Sequence, residues 1–158
     1  MSPDAIDLAL GIRSGSPLHA LRRVRPEFVS GADVCRAAVL HPASEHGVSP
    51  ELRAALAARM ARANADAELV GQYDALTSAA FQALATGAAP EDLREPEASM
   101  ARHADLVTKA PASATSGDLE RLAAAGLDNP QIVALSELIA FVNYQTRIVH
   151  GLRLLGGS

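Results

Sequence analysis

One cysteine, no tryptophan and only 3% aromatic residues occur in this chain of 158 amino acids. The single thiol, Cys35, has no partner for an internal disulfide, which excludes an intramolecular dithiol redox cycle. Positive charge is in short supply: 14 Lys and Arg against 18 Asp and Glu leave a net charge of −4, without the basic footprint of a nucleic-acid binder. No apolar run approaches the roughly 20 residues that cross a bilayer. The opening MSPDAIDLALGIRSG has neither the basic start nor the long apolar stretch of a secretory signal, so a soluble, cytoplasmic protein without membrane partners is expected.

What is present is a helix-forming composition. Hydrophobic residues make up 49% and charged residues 20%, with abundant alanine, a mixture that favours closely packed helices over sheets. A domain of this length buries about 70% of its unfolded surface, enough for a core without metal or disulfide. One all-α domain over residues 1–158 is expected, with no cofactor. Alanine-rich helices supply little core per residue, and burial against further copies would compensate, so a homo-oligomer is expected.

The chain is organised around residues 49–73, SPELRAALAARMARANADAELVGQY. Ser49 suits an N-cap, Pro50 the first helical position, and Glu51 the positive end of the helix dipole. Leu52, Leu56 and Met60 recur every four residues, while Arg53, Arg59 and Arg62 lie mostly off that line, which predicts an amphipathic helix with one buried face. A turn is expected at Asn64. Asp66 then caps a second helix on which Leu69, Tyr73, Leu76, Ala80 and Leu84 keep helical spacing to about Thr86.

Upstream, helices are expected over residues 3–10, opened by Ser2-Pro3-Asp4 and closed by Gly11, then from Ser16-Pro17, and from Pro26 to just before His41-Pro42. Arg22, Arg23 and Arg25 read as a solvated face or an intersubunit ion-pair surface. Cys35 reads as a buried structural thiol, since no His or Lys lies within a turn of it to activate it. His41, Glu45 and His46 have no metal-ligand spacing, so no metal site is expected. Downstream, ATGAAPEDLREPE forms a connector over about residues 85–97, the best candidate for a mobile segment or lid. A helix over about 97–109 carries His103. Thr115 and Asp118 approximate a capping box, Gly126 ends that short helix, and Asn129-Pro130 opens a long one packed over most of its circumference. Its polar residues Ser136, Asn143, Arg147 and His150 share one helical face.

The junction at 64–69 resembles the alkylhydroperoxidase D-like and carboxymuconolactone decarboxylase superfamily. Members show a Leu-Ser-Pro start, an Asn-Gly-Cys-x-x-Cys turn and a His three residues after the second Cys. Val48-Ser49-Pro50 and Arg62-Ala63-Asn64 match the frame, but Asp66 and Leu69 stand at the two cysteine positions and Gln72 at the histidine. Asp118-Leu119, Ala125-Gly126-Leu127, Asn143, Arg147 and Gly151-Leu152 match the second half. The resemblance covers residues 45–157, leaving 1–44 as a helical extension, and implies an oligomeric helical domain with an oxidoreductase label.

Peroxide reduction there needs one thiolate to attack and a second to resolve. Asp66 and Leu69 supply neither, so a protein degenerate for that reaction is expected. Cys35 would substitute only if the fold brought it to the same pocket. Two alternatives need no cysteine. One is a lyase on a small carboxylic acid, drawing on Asp66, Glu68, Tyr73, His103 and Arg147, with Asn143 a further pocket candidate. The other is a non-catalytic ligand-binding or assembly protein. For Asn143 and Arg147, a structural bond to a neighbouring helix end or carboxylate is the competing expectation.

Overall fold

A computed structural model describes residues 4–156, and no strand occurs among them. The helices are α1 (Ala5–Leu10), α2 (Pro17–Arg22), α3 (Pro26–Leu40), α4 (Pro50–Ala63), α5 (Ala67–Asp74), α6 (Gln82–Ala85), α7 (Glu97–Lys109), α8 (Ser116–Ala124) and α9 (Asn129–Gly156). Short 3₁₀ turns occupy Ala79–Phe81, Pro90–Asp92 and Pro111–Ser113.

Local capping chemistry sets the starts. The side chains of Asp4, Ser16, Ser49 and Asp66 accept hydrogen bonds from backbone N–H groups in the first turns of α1, α2, α4 and α5. Thr115 and Asp118 complete the capping box of α8. Ser2 and Pro3, expected to help open α1, lie outside the described residues.

The ends of α1, α4, α6 and α8 follow one pattern. The amide after each turn residue reaches back five residues, as Ile12 to Asp7, Asp66 to Ala61, Ala88 to Ala83 and Leu127 to Leu122. The left-handed residue in these turns is Gly11, Gly87 or Gly126, except after α4, where it is Ala65 at φ 56°. The turn after α4 is thus made one residue later than expected at Asn64, and by a side chain ill suited to it.

Helix α4 is the hub. Every residue from Leu52 to Ala61 is buried, with α5, α6, α7 and α9 packed around it. Ala54, Ala55, Ala57, Ala58 and Ala61 let the neighbours approach closely. This corrects the expectation of a single buried face, because Arg53 and Arg59 are buried as well. Arg53 donates to the carbonyls of Val48 at 2.7 Å, Val39 at 3.0 Å and Glu45 at 3.0 Å, tying the end of α3 to the start of α4. Arg59 forks onto Asp105 at 2.8 and 2.7 Å and reaches the Ala88 carbonyl at 2.8 Å. Arginine buried this way satisfies carbonyls and a carboxylate that would otherwise be unpaired.

Helix α5 stops at Asp74 instead of running to Thr86. Thr77 Oγ1 bonds back to the Tyr73 carbonyl, and Arg62 pulls Asp74 and the Ala85 carbonyl together. The 85–97 connector is correspondingly pinned at Ala85 and Ala88 by Arg62 and Arg59. Arg22 and Arg23 are not a solvated face either: both pair with Asp4 and Asp7, which fastens α2 to α1. Ile6, Ala9, Val39 and Leu40 of the first forty-four residues lie in the same core as α4 and α9.

Helix α9 is the one described helix long and apolar enough to cross a membrane, with 56% of its most apolar window buried inside the protein.

Candidate functional site

The α4–α5 junction forms around a carboxylate. Asp66 is 0% exposed and accepts the Leu69 amide at 3.0 Å, so it caps α5 from within the core. Two basic side chains from the end of α9 converge on it. Arg153 donates to Asp66 at 2.7 and 3.2 Å, and His150 Nε2 lies 3.2 Å from Asp66 Oδ2. Burial pushes the Asp66 carboxyl upward, but the Arg153 hydrogen bond, the Leu69 amide and the electrostatic attraction of the basic groups on α9 outweigh it and hold it below the usual range. Leu69, whose amide Asp66 receives, is also fully buried.

Beside this cluster runs a groove of about 1070 Å³ between α1, α2 and the end of α9. Leu8, Leu18, Leu21 and Leu155 form apolar walls, with Arg13, Ser16, Glu68 and Arg153 as polar lining. A second groove of about 620 Å³, between α3 and the middle of α9, is lined by Phe28, Ala32, Cys35, Ala140, Phe141 and Tyr144 among others. Cys35 is exposed there, which corrects its reading as a buried thiol. Helix α3 turns it outward at the edge of the contact with α9. Its groove meets α9 at residues 137–144, whereas Asp66 meets α9 at 150 and 153, so Cys35 does not substitute at the junction.

The remaining candidates are dispersed. Gln72 donates to the Ala5 carbonyl at 2.9 Å and fastens α1 to α5. Tyr73 is fully buried, its hydroxyl bonded to Gln145 and its ring 5.6 Å from the Arg36 guanidinium; burial pushes its pKa up to about 12. Glu68 is exposed and lines the larger groove. His103 is buried in α7 with Nδ1 unpartnered among the described residues, and burial lowers its pKa. Asn143 donates to Thr108 at 3.1 Å and to its own helix, and accepts from Asn64 at the end of α4 at 3.2 Å. That is the structural bond to a helix end expected as the competing reading. Arg147 is exposed on the outer side of α9.

Sequence reasoning missed Arg153 and His150 as partners of Asp66. His150 was visible on the polar face of α9, and Arg153 stands one turn beyond it, so a search for cations near the end of that helix would have found both. No protein-family model matches the chain, and no curated protein matches it in sequence.

Proposed function

We propose that the chain is a cysteine-independent relative of the alkylhydroperoxidase D-like and carboxymuconolactone decarboxylase superfamily that binds an amphipathic carboxylic acid instead of reducing peroxides. Asp66 carries this inference. At the first of the two positions where the resemblance implies a thiol, a buried carboxylate is saturated by an amide, a guanidinium and an imidazole. Peroxide reduction requires a reachable thiolate, and an anion held in this way is a structural clamp. The ligand class follows from the adjoining groove. Leucine walls suit an alkyl or aryl body, and exposed Arg13, which makes no ion pair among the described residues, suits the carboxylate. A cytoplasmic setting belongs to the same proposal, since a lone exposed thiol suits a reducing compartment.

Scanning calorimetry with a carboxylate series from benzoate to decanoate tests it. Saturation at about 100 Kd stabilises by roughly 2.7 kcal/mol, and Arg13→Ala removes that gain without altering the unliganded midpoint. Absence of any shift at millimolar concentrations, or turnover of an organic hydroperoxide with a dithiol, refutes the proposal.

One observation favours the lyase alternative. His150 has a side chain 44% exposed while its Nε2 faces buried Asp66, the arrangement of a carboxylate-oriented general base. Under that alternative, a carboxylated lactone is consumed by the wild-type chain and not by His150→Ala.

A further inference from the structure

Helix α9 shows solvent a face that a surface helix of a self-contained domain does not need. Val133, Glu137, Ala140, Tyr144, Arg147, Gly151 and Leu154 are all exposed. They follow each other at steps of four and three, the spacing of a coiled-coil seam. Leu154 is 84% exposed, Val133 55% and Tyr144 39%, where an outward face ordinarily carries charge.

The stripe is also symmetric about Val142. Ala140 and Tyr144 stand two residues to either side, Glu137 and Arg147 five, Val133 and Gly151 nine, and Pro130 and Leu154 twelve. Small therefore mirrors large, and acid mirrors base. Neither Glu137 nor Arg147 makes an ion pair or side-chain hydrogen bond among the described residues of its own chain, and Glu137 reaches a cation there only at longer range, through its attraction for buried Arg53. In two antiparallel copies related by a two-fold axis at Val142, each Glu137 meets an Arg147 and each Tyr144 crosses an Ala140.

We propose that this face docks a second copy of the chain, antiparallel, in an isologous α9–α9 seam. The occupant is fixed by charge and size: a parallel pairing would set Glu137 against Glu137 and Arg147 against Arg147, whereas the antiparallel one satisfies both. A helix of 28 residues offers a contact roughly 42 Å long. Helix α3 widens it, because its groove with Phe28 and Cys35 borders α9 at residues 137–144, beside the axis. Arg153 points away from the seam and His150 flanks it without belonging to it; the pairing uses neither Asp66 nor Arg13, so it stands whether or not the carboxylate proposal does.

Sedimentation equilibrium of the full chain with charge reversals tests the seam. The wild-type chain dimerises at micromolar concentration. Glu137→Arg and Arg147→Glu each weaken the dimer at least about tenfold by creating two like-charge contacts, and the double reversal restores affinity to within roughly threefold. Circular dichroism keeps its helical signal in all three, since both positions are exposed. Wild-type monomer at 100 μM, an odd-numbered assembly, single reversals without effect, a double reversal that fails to restore, or a monomer that instead co-sediments with phospholipid vesicles would each overturn the proposal.

Discussion

Replacing Asp66 separates the contributions of its cap and its charge. Asp66→Ala removes the acceptor for the Leu69 amide, a loss of about 1 kcal/mol. It also removes the carboxylate that Arg153 grips at 2.7 and 3.2 Å. That pair joins a carboxylate 0% exposed to a guanidinium side chain 32% exposed, so its loss lies between the surface and fully buried limits, at about 2 kcal/mol. The sum, about 3 kcal/mol, lowers the thermal midpoint of a chain this size by roughly 6–12 °C. Asp66→Asn keeps an oxygen for the cap and loses only the charge, about 2 kcal/mol. The pH dependence has a definite sign. The native carboxyl is depressed below its unfolded value, so its contribution is complete above about pH 4 and is lost as pH falls through the native pKa. Urea titrations followed by circular dichroism at pH 7 and pH 3 measure both effects: wild type and Asp66→Asn differ at neutral pH and converge in acid. An Asp66→Ala variant within 0.5 kcal/mol of wild type at pH 7 would show that the cluster is not a clamp, and the proposal built on it would go too.

Ala65→Gly relieves a left-handed backbone at φ 56° and is expected to stabilise by about 1 kcal/mol, read as a higher urea midpoint at unchanged slope. Arg59→Ala breaks a buried fork onto Asp105 and frees the Ala88 carbonyl, costing roughly 3 kcal/mol, and limited proteolysis should then cut between residues 85 and 97. His103 is held neutral by burial, with a native pKa below its unfolded value; stability is complete above about pH 6.5 and declines as pH falls through the native pKa, a decline that His103→Leu should remove in midpoints measured from pH 7.5 to 5. Tyr73→Phe leaves Gln145 without its buried donor and should cost about 1–2 kcal/mol by the same urea assay.

Local chemistry in this chain is written within a few residues, and that part was legible in advance. Ser16-Pro17, Ser49-Pro50, Asp66, and Thr115 with Asp118 open helices because an oxygen three positions from an amide caps it whatever surrounds it. Gly126 closes α8 for a reason equally local, its freedom at positive φ. Composition likewise determined an all-helical chain. Tertiary structure alone decided which polar groups go inside. Arg53 and Arg59 look like solvent-facing residues until carbonyls and a carboxylate from distant segments arrive to receive them. The same holds at the junction: Arg147 and Arg153 are both α9 arginines, but six residues of helix turn them to different sides, and only Arg153 reaches Asp66, 87 positions away in sequence. Cys35 was misjudged because its burial depended on how far α9 covers α3, and a side chain's own neighbours carry no information about where a helix a hundred residues later will lie.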